Sequence, residues 1–168
     1  IPPRLLARIQ LLLGSALRQQ GLLREAAQAL TLAYQLREST PAHLERADAQ
    51  RELALVAISE GDIAAAARSL QTALGIEDLY LRAFATEWQV QWQRKARLAQ
   101  TEQLVLRLAV AYPDRAAVLQ LAIQTILLRK ARGYETGQRA RVLLDTAVQS
   151  DEQRALLNKF YRMQGERS

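Results

Sequence analysis

The chain has 168 residues and a net charge of +6, with 49% hydrophobic and 24% charged residues, a balance typical of folded globular proteins rather than disordered segments. Cysteine is absent, which excludes disulfide bridges, thiolate nucleophiles and cysteine-ligated zinc sites. No apolar run approaches the roughly 18–20 residues of a membrane span, and no signal peptide is visible, so we expect a cytoplasmic protein.

Helices are the only regular elements that the sequence predicts. Ala, Leu, Gln and Arg dominate, and these residues are strong helix formers. Clear runs of alternating apolar and polar residues, which would indicate strands, are missing from the sequence. In chain order, we predict helices at about 3–20, 23–38, 42–60, 63–76, 79–97, 99–112, 114–132, 136–149 and 151–164.

Proline residues mark two of the predicted breaks. Thr40 can cap the helix that follows it, with Pro41 at its first position, where a missing N–H group costs nothing. Pro113 ends another helix, and Asp114 can cap the next one. These breaks separate pairs of helices rather than the two members of a pair.

The first half of the chain contains an internal repeat. Segments 11–36 and 52–76 match at an offset of 40, and each ends one helix at a glycine and begins a second helix at once. A small residue recurs in the second helix of each unit, where it would let two helices approach closely. The series is Ala26, Ala66, Thr101 and Ala140, with steps of 40, 35 and 39.

These residues resemble the tetratricopeptide repeat, a helix-turn-helix unit of 34 residues. That family has a large apolar residue beside a small one in the first helix, a small residue in the second, and often a final proline. The matching positions are Leu13–Gly14, Leu53–Ala54, Trp88–Gln89, Ala26, Ala66 and Pro113. Periods of 35 to 40, and Thr101 where the family usually has Ala, are departures from the pattern. The unit length is also similar to that of the helical-repeat regions of MalT-type bacterial regulators of the LuxR class.

The resemblance implies an all-α, right-handed superhelix, or solenoid, of about four antiparallel helix hairpins with a C-terminal capping helix. It would form a single domain over 1–168, with units at about 3–38, 42–76, 79–112 and 114–149 and the cap at 151–164. Phe160 and Tyr161 lie in that last helix and are expected to cover the end of the stack. The opening "IPPRLLARIQ" lacks an initiator Met, so we expect a fragment of a larger protein.

Few residues offer catalytic chemistry, so the sequence predicts no enzyme, cofactor or metal site. His43 is the one histidine, and we interpret it as a solvated loop residue at a helix start. The acidic pairs Glu77–Asp78 and Asp151–Glu152 are assigned to helix starts, where the helix dipole favours negative charge. Phe84, Trp88 and Trp92 share one helix face; core packing is the favoured interpretation, and a ligand pocket is the alternative.

A solenoid usually binds partners on its concave side, so the sequence predicts a protein-interaction scaffold. Such a scaffold would bind a partner peptide or helix, for example as the sensor or docking region of a bacterial regulator. The family register gives a polar groove with several cations, suited to an acidic protein partner. Its residues are Arg8, Ser15, Arg18, Gln19, Arg51, Thr86, Gln93, Arg94, Gln120 and Gln124.

The tetrapeptide Arg-Lys-Ala-Arg occurs twice, at 94–97 and at 129–132. Both copies are predicted at the end of a hairpin's first helix, where the dipole stabilises each exposed cation by roughly 0.3–1 kcal/mol. Stacking would place them on one side of the ribbon as a basic edge of Arg94, Lys95, Arg97, Arg129, Lys130 and Arg132. Two interpretations of this basic edge are open. It is either a solvated loop that recurs in two repeats or a docking site for an acidic partner.

Two alternative functions stay open. Residues 79–168 hold fifteen basic and eight acidic residues, and this excess suits a nucleic-acid-binding helical repeat. A small-molecule-sensing domain of a transcription activator is the other alternative, with the two tryptophans at its pocket. The oligomeric state is unknown from the sequence.

Overall fold

A computed structural model describes residues 2–37, 43–83 and 88–130, with the backbone alone for 88–96. Every regular element in these ranges is an α-helix, which confirms the predicted all-α class for them. The helices are α1 (Pro3–Gln19), α2 (Leu23–Gln35), α3 (Leu44–Glu60), α4 (Ile63–Ala83), α5 (Trp88–Ala111) and α6 (116–130). The chain divides between residues 126 and 127 into two units.

The turns between α1 and α2 and between α3 and α4 are the same structure, repeated at an offset of 40. Gly21 and Gly61 adopt left-handed φ angles of 80° and 78°, which glycine allows without a Cβ clash. The N–H of Leu22 donates to the carbonyl of Leu17, and the N–H of Asp62 donates to that of Ala57. Such bonds satisfy carbonyl groups that a helix end leaves free. The internal repeat is therefore present in the backbone as well as in the sequence.

Small residues let the two helices of the first hairpin approach closely. Gly14 on α1 faces α2, where Ala26 and Leu30 are fully buried. A Cβ atom built at Gly14 would lie 2.5 Å from Cγ of Leu30 and 3.2 Å from the carbonyl oxygen of Ala26. Ala66 is likewise fully buried in the second hairpin. The predicted small positions at 26 and 66 are thus both packing positions.

The helix breaks predicted on either side of the first helix of the third hairpin, near 77–78 and at 98, are wrong. Helix α4 does not end at 76 but continues through Gly75 to Ala83, and α5 crosses the predicted break at 98 without interruption. The physical reason is that neither break contains a residue that ends a helix. Gly75 keeps helical backbone angles, and no Gly or Pro occurs between 88 and 111.

Two helix starts also differ from the prediction. Helix α3 begins at Leu44 rather than 42, with His43 as its cap; Thr40 and Pro41 lie outside the described residues. Pro113 does end α5, but Asp114 is not the cap of α6. The carbonyl of Arg115 accepts the first helical hydrogen bonds, from the N–H groups of Val118 and Leu119.

The main apolar core joins α3, α4, α5 and α6. Its fully buried members are small on α3, where Ala54 lies, and larger on α4 and α5, where Leu70 and Val105 lie. Val118 and Leu121 of α6 complete it. A smaller cluster around Leu30 joins the first hairpin to α3. Each hairpin therefore packs against the next element in the chain.

Candidate interaction surfaces

The residues predicted for the partner-binding groove lie on four helices, apart from Thr86, which is outside the described residues. Arg18 is one of four on α1; its Nε donates to a carboxylate oxygen of Glu52 at 2.8 Å. Gln93 and Arg94 are on α5, where only backbone is described. The other members on α1 are Arg8, Ser15 and Gln19.

Arg51 does not face a partner-binding groove, and its assignment to one is wrong. Its side chain is only 11% exposed. One guanidinium nitrogen lies 3.5 Å from a carboxylate oxygen of Glu77 and donates to the hydroxyl of Thr101 at 3.1 Å. The other guanidinium nitrogen pairs with the carboxylate of Asp48. All these partners belong to the same chain, so Arg51 is an internal structural cation.

Glu77 explains why an arginine is needed there. The prediction that Glu77 and Asp78 mark a helix start is wrong, because both lie inside α4 and are buried. Glu77 is 1% exposed, and the Thr101 hydroxyl donates to its carboxylate at 2.5 Å. A buried carboxylate is tolerated when a cation and hydrogen-bond donors compensate its lost hydration. The Thr101 hydroxyl thus connects Arg51 to Glu77.

Arg97, a member of the predicted basic edge, belongs to the same network. It pairs with both carboxylate oxygens of Asp48, with its Nε donating at 3.0 Å. Burial lowers the pKa of Arg51, an effect that neighbouring Glu77 opposes. Burial also lowers the pKa of Arg97, and Glu45 opposes it. The network connects α3, α4 and α5 through charge, and we call it the Arg51–Glu77 network.

The two Arg-Lys-Ala-Arg copies do not occupy equivalent places, so the first copy's predicted position at a helix end is wrong. Residues 94–97 lie in the middle of α5, whereas Arg129 and Lys130 are the last described residues of α6. Arg132 lies outside the described residues, and the side chains of Arg94 and Lys95 are likewise not described. The dipole argument therefore does not apply to the first copy.

A groove between α4 and α6 contains the two remaining predicted residues. Gln120 and Gln124 of α6 face Arg68 and Gln71 of α4 across a cavity of about 230 Å³. Its floor is apolar and consists of Ala64, Ala67, Ala117 and Leu121. None of the described residues that line it is acidic. Three amides and one guanidinium therefore surround a shallow apolar floor, and we call this the α4–α6 groove.

Sequence reasoning missed Arg68 and Gln71 because it assigned the concave surface to the first helices of the hairpins. A local signal exists. The two side chains are three residues apart, so they share one face of the otherwise alanine-rich start of α4. Only the packing of α6 beside α4 turns that face into one wall of a groove.

His43 is at a helix start, as predicted, but it is half-buried rather than fully solvated. Its Nδ1 accepts a hydrogen bond from the N–H of Glu45 at 3.2 Å, which caps α3. Arg37 lies 3.5 Å from Nε2 and pairs with the Glu45 carboxylate. Burial, and then the charge of Arg37, lower the pKa of His43 from its ordinary value of 6.5.

The lowered pKa of His43 predicts that acid weakens the fold. The unfolded chain takes up a proton near pH 6.5, and folded His43 does so only at lower pH. The free energy of unfolding should therefore fall as the pH drops below about 6.5, because the unfolded state binds more protons there. Substituting His43→Asn keeps a capping oxygen but removes the titration. Urea denaturation between about pH 7.5 and pH 5 should show a shallower decline for this variant. Identical declines in variant and wild type would rule out His43 as a source.

For the remaining predicted residues the structure describes no side chains. Phe84 and the second acidic pair, Asp151–Glu152, are outside the described residues, as are Phe160 and Tyr161. For Trp88 and Trp92 only the backbone in α5 is described. Within the described ranges, no three His, Asp or Glu side chains group as metal ligands, and every helix is too short or too polar to cross a bilayer.

Comparisons with protein-family models, with curated proteins and with solved structures find no match for this chain. The described residues define an all-α protein whose first four helices form two hairpins with identical turns. Its function is therefore inferred from the geometry of its own surfaces.

Proposed function

We propose that the chain is a non-enzymatic interaction scaffold that binds a segment of a partner protein in the α4–α6 groove. The observation that carries this proposal is the lining of the groove. Arg68 and the amides of Gln71, Gln120 and Gln124 can bind polar groups of a peptide, while Ala67 and its apolar neighbours can contact a side chain. The charge of Arg68, with no acid beside it, favours an acidic partner.

We further propose that the hairpins continue as a right-handed solenoid of tetratricopeptide-like units. The repeated turn at Gly21 and Gly61 supports this arrangement. So do apolar stripes on the first and last described helices, since each hairpin of a stack needs an apolar face to pack against its neighbour. These stripes comprise Leu5, Ile9, Leu12 and Leu13 on α1, and Leu119, Ile123 and Ile126 on α6.

Such a scaffold would suit the repeat region of a cytoplasmic bacterial regulator. The only support for this assignment is the length of the repeat unit. A nucleic-acid-binding function has less support than the sequence suggested. Arg97 is paired with Asp48 inside the chain, so it is not a free cation of a basic edge. Phosphate recognition depends on cations that can release their counterions at the surface.

Peptide selection on the full chain tests the groove. Peptides selected from a displayed random library should be enriched in Asp and Glu, and Arg68→Glu should weaken their binding by at least about tenfold, since like charges then face each other. Fluorescence polarisation with labelled peptides provides the affinities.

The matched control is Arg24→Glu, which makes the same charge change at an exposed arginine on α2. It should leave binding nearly unchanged. Equal losses in both variants would indicate general electrostatics rather than a groove, and selected peptides insensitive to Arg68→Glu would contradict the assignment.

A further inference from the structure

A pocket separate from the α4–α6 groove lies between α2 and α3. Its volume is about 670 Å³, within the roughly 300–1,000 Å³ of sites that take small molecules. Helix α2 and helix α3 each contribute three side chains to its wall. These are Thr31, Tyr34 and Gln35 from α2, and Arg46, Gln50 and Leu53 from α3.

Arg46 is the unusual member of this pocket. It is only 9% exposed, and its Nε atom is buried without a hydrogen-bond partner. The guanidinium stacks on the ring of Tyr34 at 4.4 Å from the ring centre. Within the described residues it forms no ion pair. A buried guanidinium carries a full charge, and burying a charge is costly unless an anion or hydrogen bonds compensate it.

The three acidic residues closest to Arg46 along the same helix cannot supply that anion, because each already has another arginine. Arg46 thus differs from the other buried arginines of this region, whose carboxylate partners come from the chain itself. The occupied pairs are Glu45 with Arg37, Asp48 with Arg51 and Arg97, and Glu52 with Arg18.

We propose that the α2–α3 pocket binds a carboxylate group, carried by a small organic acid or by an acidic side chain. The fork of N–H groups on Arg46 matches the two oxygens of a carboxylate. The amides of Gln35 and Gln50 can donate further hydrogen bonds, as can the Thr31 hydroxyl. The ring of Tyr34 and the side chain of Leu53 provide an apolar wall for the carbon chain of the acid. This site does not depend on the α4–α6 groove.

Butyrate is a suitable probe because it combines a carboxylate with a short apolar chain. In ¹⁵N-labelled protein, the Arg46 Nε–H signal, assigned by its loss in Arg46→Gln, should shift saturably as butyrate is added. If Arg46→Gln is unstable, Arg46→Lys gives the same assignment, because it keeps the charge but lacks the Nε–H group. No saturable shift up to tens of millimolar butyrate would overturn the proposal. Arg24→Gln removes an exposed arginine from α2 and should leave the titration unchanged.

Gln50→Glu provides a second test, which distinguishes carboxylate binding by Arg46 from a purely structural role of that residue. Residues 46 and 50 are one helical turn apart, so the new carboxylate can pair with Arg46. This variant should melt at a higher temperature than wild type without ligand and should lose its response to butyrate. An unchanged butyrate response in this variant would overturn the proposal.

A competition experiment distinguishes the two sources of the carboxylate, a small organic acid and an acidic side chain. A blocked pentapeptide with one central glutamate should displace butyrate if an acidic side chain is the natural ligand, and a lack of displacement assigns the pocket to free organic acids. Inorganic phosphate at the same ionic strength controls for anions in general. A phosphate response as large as that of butyrate would overturn the carboxylate assignment.

Discussion

Replacing Arg51 with Met is expected to lower the free energy of unfolding by about 3–5 kcal/mol, the usual cost of breaking a buried ion pair. The change removes the guanidinium from beside Glu77, which is 1% exposed, and from the Thr101 hydroxyl. It also removes one of the two arginines that pair with Asp48. Urea denaturation followed by circular dichroism measures the loss, with an unchanged m value as evidence that the unfolding transition is the same.

Two further variants make this expectation specific. Arg18→Met breaks the more exposed pair with Glu52, and it should cost only about 0–1 kcal/mol. The double variant Arg51→Met with Glu77→Leu removes both buried charges, so it should be more stable than Arg51→Met alone. If Arg51→Met costs no more than Arg18→Met, the Arg51–Glu77 network is not a stabilising element.

Gly14→Ala is expected to destabilise the first hairpin by about 1–2 kcal/mol. Overpacking a filled site typically costs about 1–3 kcal/mol, and the higher helix propensity of Ala returns up to about 1 kcal/mol. The new methyl group would lie 2.5 Å from Cγ of Leu30, which is fully buried and cannot move away freely. Thermal and urea denaturation should both detect the loss.

Gly75→Ala is the matched control, because it makes the same substitution inside another helix. Beyond the neighbouring residues and backbone of its own helix, a Cβ at Gly75 meets no described atom within 4 Å. This variant should therefore gain roughly 0.5–1 kcal/mol from reduced backbone entropy of the unfolded chain. Opposite signs at the two positions would show that Gly14 is required for close packing. A gain at both positions would contradict the close approach of α1 and α2.

The helices themselves, the first hairpin turns and the offset of 40 were predictable, because they depend on local signals. A glycine that ends a helix acts through its own backbone angle, as Gly21 and Gly61 do. Pro113 ends α5 because proline lacks the N–H group that would continue the helical hydrogen bonds. Around 76 the one glycine, Gly75, keeps helical backbone angles, and around 98 there is no Gly or Pro, so the predicted breaks were wrong and the helices continue.

The candidate surfaces were less predictable, since they depend on residues far apart in the chain. Arg51 and Arg18 look alike in the sequence, yet Arg51 meets Glu77 and Thr101 from two later helices, whereas Arg18 pairs near the surface. Among the described residues Arg46 has no acidic partner, because its nearest acidic neighbours on α3 pair with other arginines. Helix formation follows from interactions over a few residues, but the burial and pairing of a charge follow only from the packing of whole helices.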